Sequence, residues 1–525
     1  MSIRLVFFIV CNILFVNGSN ILILATLPSP SHHIWIGAVT SELAGHGHNI
    51  TVISPDIDKN PPPGIHYILI ENQYTDVNRQ FLKEMLSAPG ATSLIQDALA
   101  MFKVRTDICE AQVQTNGFKT LLNYPDNFKF DLIIHDYTCG PCHLPFAHKF
   151  KNPPLLGVTG YSNPSFMPLM MGGHQYTAYI PHNALLSDKN MNFLERLTNF
   201  PIYGLENVYR QQFFIPAIDT IVQKSFGTNI PSVSELEKRT ALAFVNTNPA
   251  MDYPAPLSEN IIPVAGLHIK DPKPIPSDLK AFVDSSNKGI VIFSLGTNFR
   301  SDFLPEAKQK LFLEVFRQFP DYHFLWKFES NLPASNLPKN VLIRPWLPIS
   351  NILADSKTKA IFFHGGLLTT QEAIWRGVPM IIMPLGFDQK QNLMKTKRLG
   401  ISEGVDYFSL SKAELKKTLH KVLEDPLYSI NALKWSAKFR DQKEKPLDRA
   451  VWWIEWLLRN PDCDHLKSPV LQLGFIVGNS YDIIAFIILL VTVILIISLK
   501  IFGHCIRKCS RNIYSKETMP HKKFE

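Results

Sequence analysis

Charge is scarce in this chain. Only 19% of its 525 residues are Asp, Glu, Lys or Arg, and the formal balance of +8 is spread thinly. No block of Lys and Arg alternates with aromatics, which excludes the electrostatic footprint of a nucleic-acid binder. Cysteine is scarce too: the seven residues are too few and too scattered for a disulfide-stapled scaffold, so the fold must rest on apolar cores. An Asp-x-Asp flanked by further carboxylates is missing from the second half of the chain, and Asp56-Ile-Asp58 lies far from the densest motifs. No metal is expected on that ground. No repeat of solenoid length occurs.

Apolar residues are plentiful. At 46% they can fill more than one core, and a prior of about 100–200 residues per domain asks for at least two. Arg4 is followed by the apolar runs Leu5 to Cys11 and Ile13 to Val16 and then by Gly18-Ser19, the pattern of a secretory signal peptide over residues 1–18. A buried first strand is the alternative, but Ile21 to Leu27 is the better strand. Near the other end, Ile483 to Leu499 carries no charge between Asp482 and Lys500, and Tyr481 stands where an interfacial anchor would. That length is close to the ~17–25 residues a bilayer core needs, and Lys500, Arg507, Lys508 and Arg511 beyond it predict a cytosolic tail over 502–525. The chain then reads as a single-pass type I membrane protein with its folded part in a lumen. Lys522-Lys523-Phe524-Glu525 resembles the dilysine retrieval signal of endoplasmic reticulum membrane proteins. Cys11 leaves with the signal and Cys505 and Cys509 fall on the cytosolic side, so Cys109, Cys139, Cys142 and Cys463 are the lumenal thiols.

Between the ends, short β-rich runs alternate with helical stretches, as in parallel sheets wrapped by helices. Ile21 to Leu27, Asn49 to Ser54 and Phe130 to Asp136 read as strands, and Ile34 to Gly47 as a helix. Asn152 to Pro231, rich in Pro, Met and aromatics, yields no readable order and reads as an irregular ligand wall. The alternate prolines of Asp271-Pro-Lys-Pro-Ile-Pro-Ser-Asp278 favour an extended spacer. Beyond it, Ile290 to Leu295, His323 to Phe328, Val341 to Arg344, Lys359 to Phe363 and Met380 to Met383 read as strands, with helices such as Glu306 to Phe319 between them. The expected architecture is α/β, two Rossmann-like doubly wound domains over 19–270 and 271–465 facing a cleft. A juxtamembrane segment follows over 466–482, then a transmembrane helix over 483–501. Such sheets bind ligands beyond the carboxyl ends of their strands.

The densest cluster runs from Trp346 to Asn392. A strand ending at Phe363, the loop His364-Gly365-Gly366 and a helix from Leu367 to Trp375 make an anion site, because free amides and the positive end of the helix dipole converge there. After the next strand, Asp388 and Gln389 offer a carboxylate and an amide that can hold neighbouring hydroxyls, which suits a sugar. Trp346-Leu-Pro, His364-Gly-Gly-Leu-Leu-Thr-Thr-Gln-Glu372-Ala, Gly377-Val-Pro-Met and Pro384 with Asp388-Gln389 together resemble the signature of the UDP-glucuronosyltransferase and UDP-glycosyltransferase family. The signal peptide, the Phe293-Ser-Leu-Gly-Thr297 loop and the terminal anchor also fall in family order.

The resemblance implies a GT-B type fold and an inverting transfer of glucose or glucuronic acid from a UDP-sugar to a small lipophilic acceptor, serving detoxification or conjugation of hormones and metabolites. It implies no cofactor, and it leaves self-association open. Trp346 is implied to stack on uracil, Thr297, His364 and Thr369 to bind the diphosphate, Glu372 to hold the ribose, and Asp388 with Gln389 to contact the sugar. Ile349, Phe363 and Leu368 depart from the family pattern, at places where its members often carry Gln, Thr or Ser, and Asn. Counting back from Gly47-His48, the family's catalytic histidine matches His32 rather than His33, and Asp136 resembles the carboxylate that pairs with it. A neutral imidazole is suited to take a proton from an attacking hydroxyl.

Blander readings compete. Thr369-x-x-Glu372 is also a capping box, Trp346 could be core, and Asp388 could be an ordinary N-cap. Cys139-Gly-Pro-Cys142 follows a strand and reads as opening a helix, which raises a lumenal thiol oxidoreductase as a rival. A structural disulfide or two buried thiols is the plainer reading of that motif. A non-catalytic binder of UDP-sugars or lipophiles is the third. The stretch Tyr161 to Ile180 suits a greasy acceptor, and Asn49-Ile-Thr51 is a glycosylation sequon placed in a strand.

Overall fold

The computed structural model describes residues 18–74, 86, 93–330 and 337–517. All but the last residue of the expected signal peptide, and the Lys522-Lys523 motif, lie outside them. The described residues up to Lys467 form one compact unit, and those from Ser468 onward a second.

The first unit contains two all-parallel sheets. One joins β1 (Asn20–Leu24), β2 (Asn49–Ser54), β3 (Ile65–Leu69), β4 (Leu132–Asp136), β5 (Leu155–Val158), β6 (Thr240–Val245) and β7 (Ile261–Pro263) in the order β3-β2-β1-β4-β5-β6-β7. The other joins β8 (Gly289–Ser294), β9 (Tyr322–Lys327), β10 (Val341–Arg344), β11 (Thr358–Phe363), β12 (Met380–Ile382) and β13 (Ser402–Gly404) in the order β10-β9-β8-β11-β12-β13. Central strands are covered on both faces, so they are continuous apolar runs: every residue of β4, β6 and β8 is buried. Strand order reverses between β1 and β4 and again between β8 and β11. Those two switch points are where a doubly wound sheet opens a crevice for ligands.

Six helices position the site and its surroundings: α1 (Pro30–Gly45), α2 (Leu94–Gln112), α3 (Phe193–Tyr209), α4 (Leu367–Arg376), α5 (Gln389–Arg398) and α6 (Pro446–Arg459). Helix α1 begins four residues before the expected Ile34, because Pro30 at the first helical position has the right φ and needs no amide partner. His32 therefore sits in the first turn of a helix and not in a loop. Helix α6, expected among the second lobe's elements, packs on the first: Ala450, Val451, Ile454 and Leu457 share a core with Trp35 and Val39 of α1. Its apolar stripe finds its burial there. The lobes are also tied by a buried ion pair, Lys395 of α5 to Asp252 at 2.6 Å, with Lys395 also donating to Ser162 at 2.9 Å.

In the second unit, a short helix (Val470–Gly478) is broken at Gly474, and a long one, α7, runs from Tyr481 to Glu517. It contains the stretch that is long and apolar enough to cross a membrane.

Candidate active site

His32 and Asp136 meet at the switch point of the first sheet. Asp136 is the last residue of β4, next to β1 in the sheet, and His32 rises from the helix that follows β1. Nδ1 of His32 lies 3.1 Å from Oδ2 of Asp136, and both side chains are buried. Oδ1 of Asp136 accepts from the Thr138 amide at 2.9 Å. Burial alone would raise the Asp136 pKa, but the bonds from His32 and Thr138 outweigh it and hold the carboxyl below its ordinary value. An ionised Asp136 keeps the proton on Nδ1, which leaves the Nε2 lone pair as the basic end. Tyr161 packs edge-on against the imidazole at 5.6 Å, and a Cβ at Gly160 would stand 2.7 Å from its Cε1. Glycine at 160 is what allows the ring to sit there. His33 turns away to Asp58, at 3.1 Å.

The second switch point supplies the opposing wall. Leu295-Gly296-Thr297 leaves β8, and His364-Gly365-Gly366 leaves β11 for α4. Gly296 has φ +91°, and a side chain there would run into the His364 ring. Burial, reinforced by the charge of Lys327, pushes the His364 pKa down to about 3. The ring is therefore neutral, and its Nδ1 is buried with no partner among the described residues. Gly366 is the N-cap of α4 and no side chain caps it, so the first amides of the helix stay open to an anion. Thr369 lies inside that first turn and Glu372 a turn deeper. The capping-box reading fails, because the helix begins at Leu367, two residues before Thr369. Burial lifts the Glu372 pKa to about 7, against the Ser350 hydroxyl and Arg376, which pull it down.

Trp346 is 58% exposed, so it is not a core residue, and Lys327 Nζ stands 5.8 Å from its ring centroid. Asp388 occupies the N-cap position of α5 without capping it. Its carboxyl accepts from Asn392 Nδ2 at 2.9 Å, and burial raises its pKa against Asn392 and Lys395. Gln389 Oε1 accepts from the amides of Leu385 and Gly386 at 2.7 and 3.1 Å, which leaves its NH2 for a ligand. Just before them, Phe387 holds φ +59°, a strained setting for an aromatic residue.

One cavity of about 700 Å³ takes in both walls, within the usual range for small-molecule sites. His32 and Tyr161 line it from the first lobe, and Thr297, Trp346, His364, Gly366, Thr369, Glu372, Asp388 and Gln389 from the second. Asp136 stands behind His32. Gly365 faces away from the cavity and lets the chain turn at φ +93° against Ile382.

Three features depart from expectation. Of the segment 161–180 only Tyr161 lines the cavity among the described residues: Phe166, Met167, Met170 and Met171 are spent in the first lobe's core. Ile34 of α1 and Met101, Val104 and Ile108 of α2 face the cavity in their place. Nor is Cys139-Gly-Pro-Cys142 a redox pair. Cys142 is bonded to Cys109, and Cys139 is a buried free thiol whose pKa burial pushes up to about 12. A thiolate nucleophile is unavailable there, which removes the oxidoreductase reading. Lys327 went unread, although its place at the end of β9 puts it at a strand's carboxyl end. It lines the cavity, is 5% exposed and pairs with Glu329.

Two doubly wound lobes whose switch points open onto a shared cavity have the architecture of the GT-B fold. The solved structures of the glycosyltransferase VinC in complex with DTDP and of the spinosyn forosaminyltransferase SpnP share that architecture. Their TM-scores are 0.56 and 0.55 at 16% identity, over 84% of this chain and 99% of each of theirs. Similarity in sequence narrows the class. Residues 20–516 match the family described as UDP-glucoronosyl and UDP-glucosyl transferase, and the chain belongs to that family. It is 31% identical to UDP-glucosyltransferase 2 of Dactylopius coccus over 476 residues, 90% of either chain. It is 28% identical to UDP-glucuronosyltransferase 2B15 of Rattus norvegicus over 502 residues, 90% of this chain and 91% of that one.

Proposed function

We propose that this UDP-glycosyltransferase moves glucose or glucuronic acid from its UDP-sugar to a hydroxyl of a small lipophilic acceptor, with inversion at the anomeric carbon. Residues 19–270 hold the acceptor and the base, and residues 271–465 hold most of the donor site. His32 Nε2 takes the acceptor's proton as its oxygen attacks. The anomeric C–O bond to the diphosphate breaks, and UDP leaves with the electron pair. Asp136 keeps the imidazole in the right tautomer and stabilises the imidazolium that forms. Charge developing on UDP is met by the open amides at the start of α4, by Thr297 and Thr369, and by a hydrogen bond from neutral His364. Trp346 stacks on uracil, Glu372 accepts from the ribose hydroxyls, and Asp388 with the NH2 of Gln389 holds the sugar. No metal or cofactor enters this scheme. We place the reaction in the lumen of the endoplasmic reticulum, where conjugation would serve detoxification or the turnover of hormones and metabolites.

The observation that supports this reading most is that the carboxylate-bound imidazole and the uncapped helix start open onto one cavity. His32→Ala should lower turnover by on the order of 10²–10⁴ while calorimetry finds UDP-sugar affinity unchanged. His364→Ala should do the reverse, weakening donor binding first. Unchanged turnover in the His32 variant would leave a binder on a transferase fold as the better reading.

A further inference from the structure

Charge is divided unevenly around the cavity. Among the described residues that line it, the cations come from the connection between the two sheets, as Lys270 and Lys273, and from the second lobe, as Arg300 and Lys327. The wall around His32 holds no Lys or Arg among those residues. It holds one carboxylate, Asp56, beside the apolar side chains of Ile34, Met101, Val104 and Ile108. Asp56 stands just beyond the end of β2, half-buried, and its amide donates to Ser54 Oγ at 3.1 Å. The Tyr74 hydroxyl donates to its Oδ2 at 2.6 Å. Burial and the carboxylate both push the Tyr74 pKa above its ordinary value, so the phenol keeps its proton and pins Asp56 by one oxygen. The other, Oδ1, has no partner among the described residues. The nearby Asp58, by contrast, is spent on His33 and Tyr67, at 3.1 and 2.9 Å.

We propose that Asp56 selects the acceptor, favouring phenols and alcohols that carry an ammonium or hydroxyl group away from the reacting oxygen and turning acids away. The inference rests on His32 being the base. Strand β1 lies between β2 and β4, so the strand ends that carry Asp56 and Asp136 stand two strand spacings apart, roughly 10 Å. His32 rises from the helix after β1, between them. A para-substituted phenol bridges that span with its oxygen at His32, its ring on the apolar side chains and a short polar arm at Asp56. A donor or cation on that arm makes a charge-assisted hydrogen bond to Oδ1. A carboxylate there meets like charge, and that wall offers no cation to offset it.

The test is calorimetry on the detergent-solubilised full chain saturated with UDP, which reads acceptor affinity without turnover and so stays separable from the role of His32. Tyramine, para-propylphenol and phloretic acid are similar in size and differ in an arm that is cationic, apolar or anionic. The wild type should bind them in that order, tyramine tightest. Asp56→Asn should cut the preference for tyramine over para-propylphenol about tenfold, the worth of one charge-assisted bond, and Asp56→Lys should invert the order so that phloretic acid leads. Wild-type protein that binds phloretic acid as tightly as tyramine would overturn the proposal, a result that stands even where a variant fails to fold. So would an unchanged order of affinities in both variants, which would leave Asp56 as no more than a loop tie for Tyr74.

Discussion

The strongest pH dependence of donor binding should come from Glu372. Burial lifts its pKa to about 7 in the free enzyme, whereas in the proposed role ribose hydroxyls donating to the carboxyl favour its charged form, so donor binding should release a proton. With a pKa near 7, roughly one molecule in eleven is ionised at pH 6 and ten in eleven at pH 8, a tenfold gain in binding-competent protein worth about 1.4 kcal/mol. Donor affinity should therefore rise about tenfold across that range. Neither the diphosphate diester of the donor nor His364, with its pKa near 3, titrates there. Stability of the free enzyme runs the other way. A carboxyl whose folded pKa is raised stabilises the fold fully below its unfolded pKa, ordinarily 4.5, and that contribution is lost as the pH climbs through about 7. Calorimetry of UDP-glucose binding without acceptor, in two buffers of different ionisation enthalpy, reads both affinity and proton release. Glu372→Gln should bind more weakly and without pH dependence. A flat wild-type profile, or a slope that survives in the Gln variant, would refute the ribose role.

Lys395→Met leaves Asp252 buried without its cation, so urea denaturation should show a loss of roughly 3–5 kcal/mol. Cys109→Ala or Cys142→Ala should cost about 2–5 kcal/mol by removing a crosslink over 33 residues. Cys139→Ser should leave sugar transfer intact; a loss of turnover in that variant at unchanged stability would restore a role for the thiol. Gly160→Ala presses a methyl against His32, so kcat should fall while donor affinity measured by calorimetry stays the same.

What could be read from the sequence was what is continuous along the chain. β1, β2, β4 and β8 to β12 are apolar runs, so their existence was visible, and with them the residues at their carboxyl ends. β5 and β6 are apolar runs that escaped all the same, β5 inside the stretch 152–231 that showed no readable order; the rest of what escaped depends on distant partners. β13 is only Ser402–Gly404, held by pairing with β12 and not by its own pattern. Helix α3 defeats pattern reading because its periodicity points the wrong way, with Phe193, Leu194 and Phe200 exposed and Asn199 and Glu206 buried. Cys142 looked outward along the chain to Cys139, while its partner, Cys109, comes from α2. Met101, Val104 and Ile108 carry the spacing of any amphipathic helix, and only the fold tells a cavity wall from a core. Lys327 is the counterpart among polar residues: a lysine ending a strand reads as a solvated end until β9 is seen beside β8, which places its charge next to Trp346 and His364. The second lobe's side of the cavity was legible because most of its residues cluster within one stretch of chain. The first lobe's apolar side of the cavity was not, because it is assembled from helices that only the packing of that lobe brings to His32.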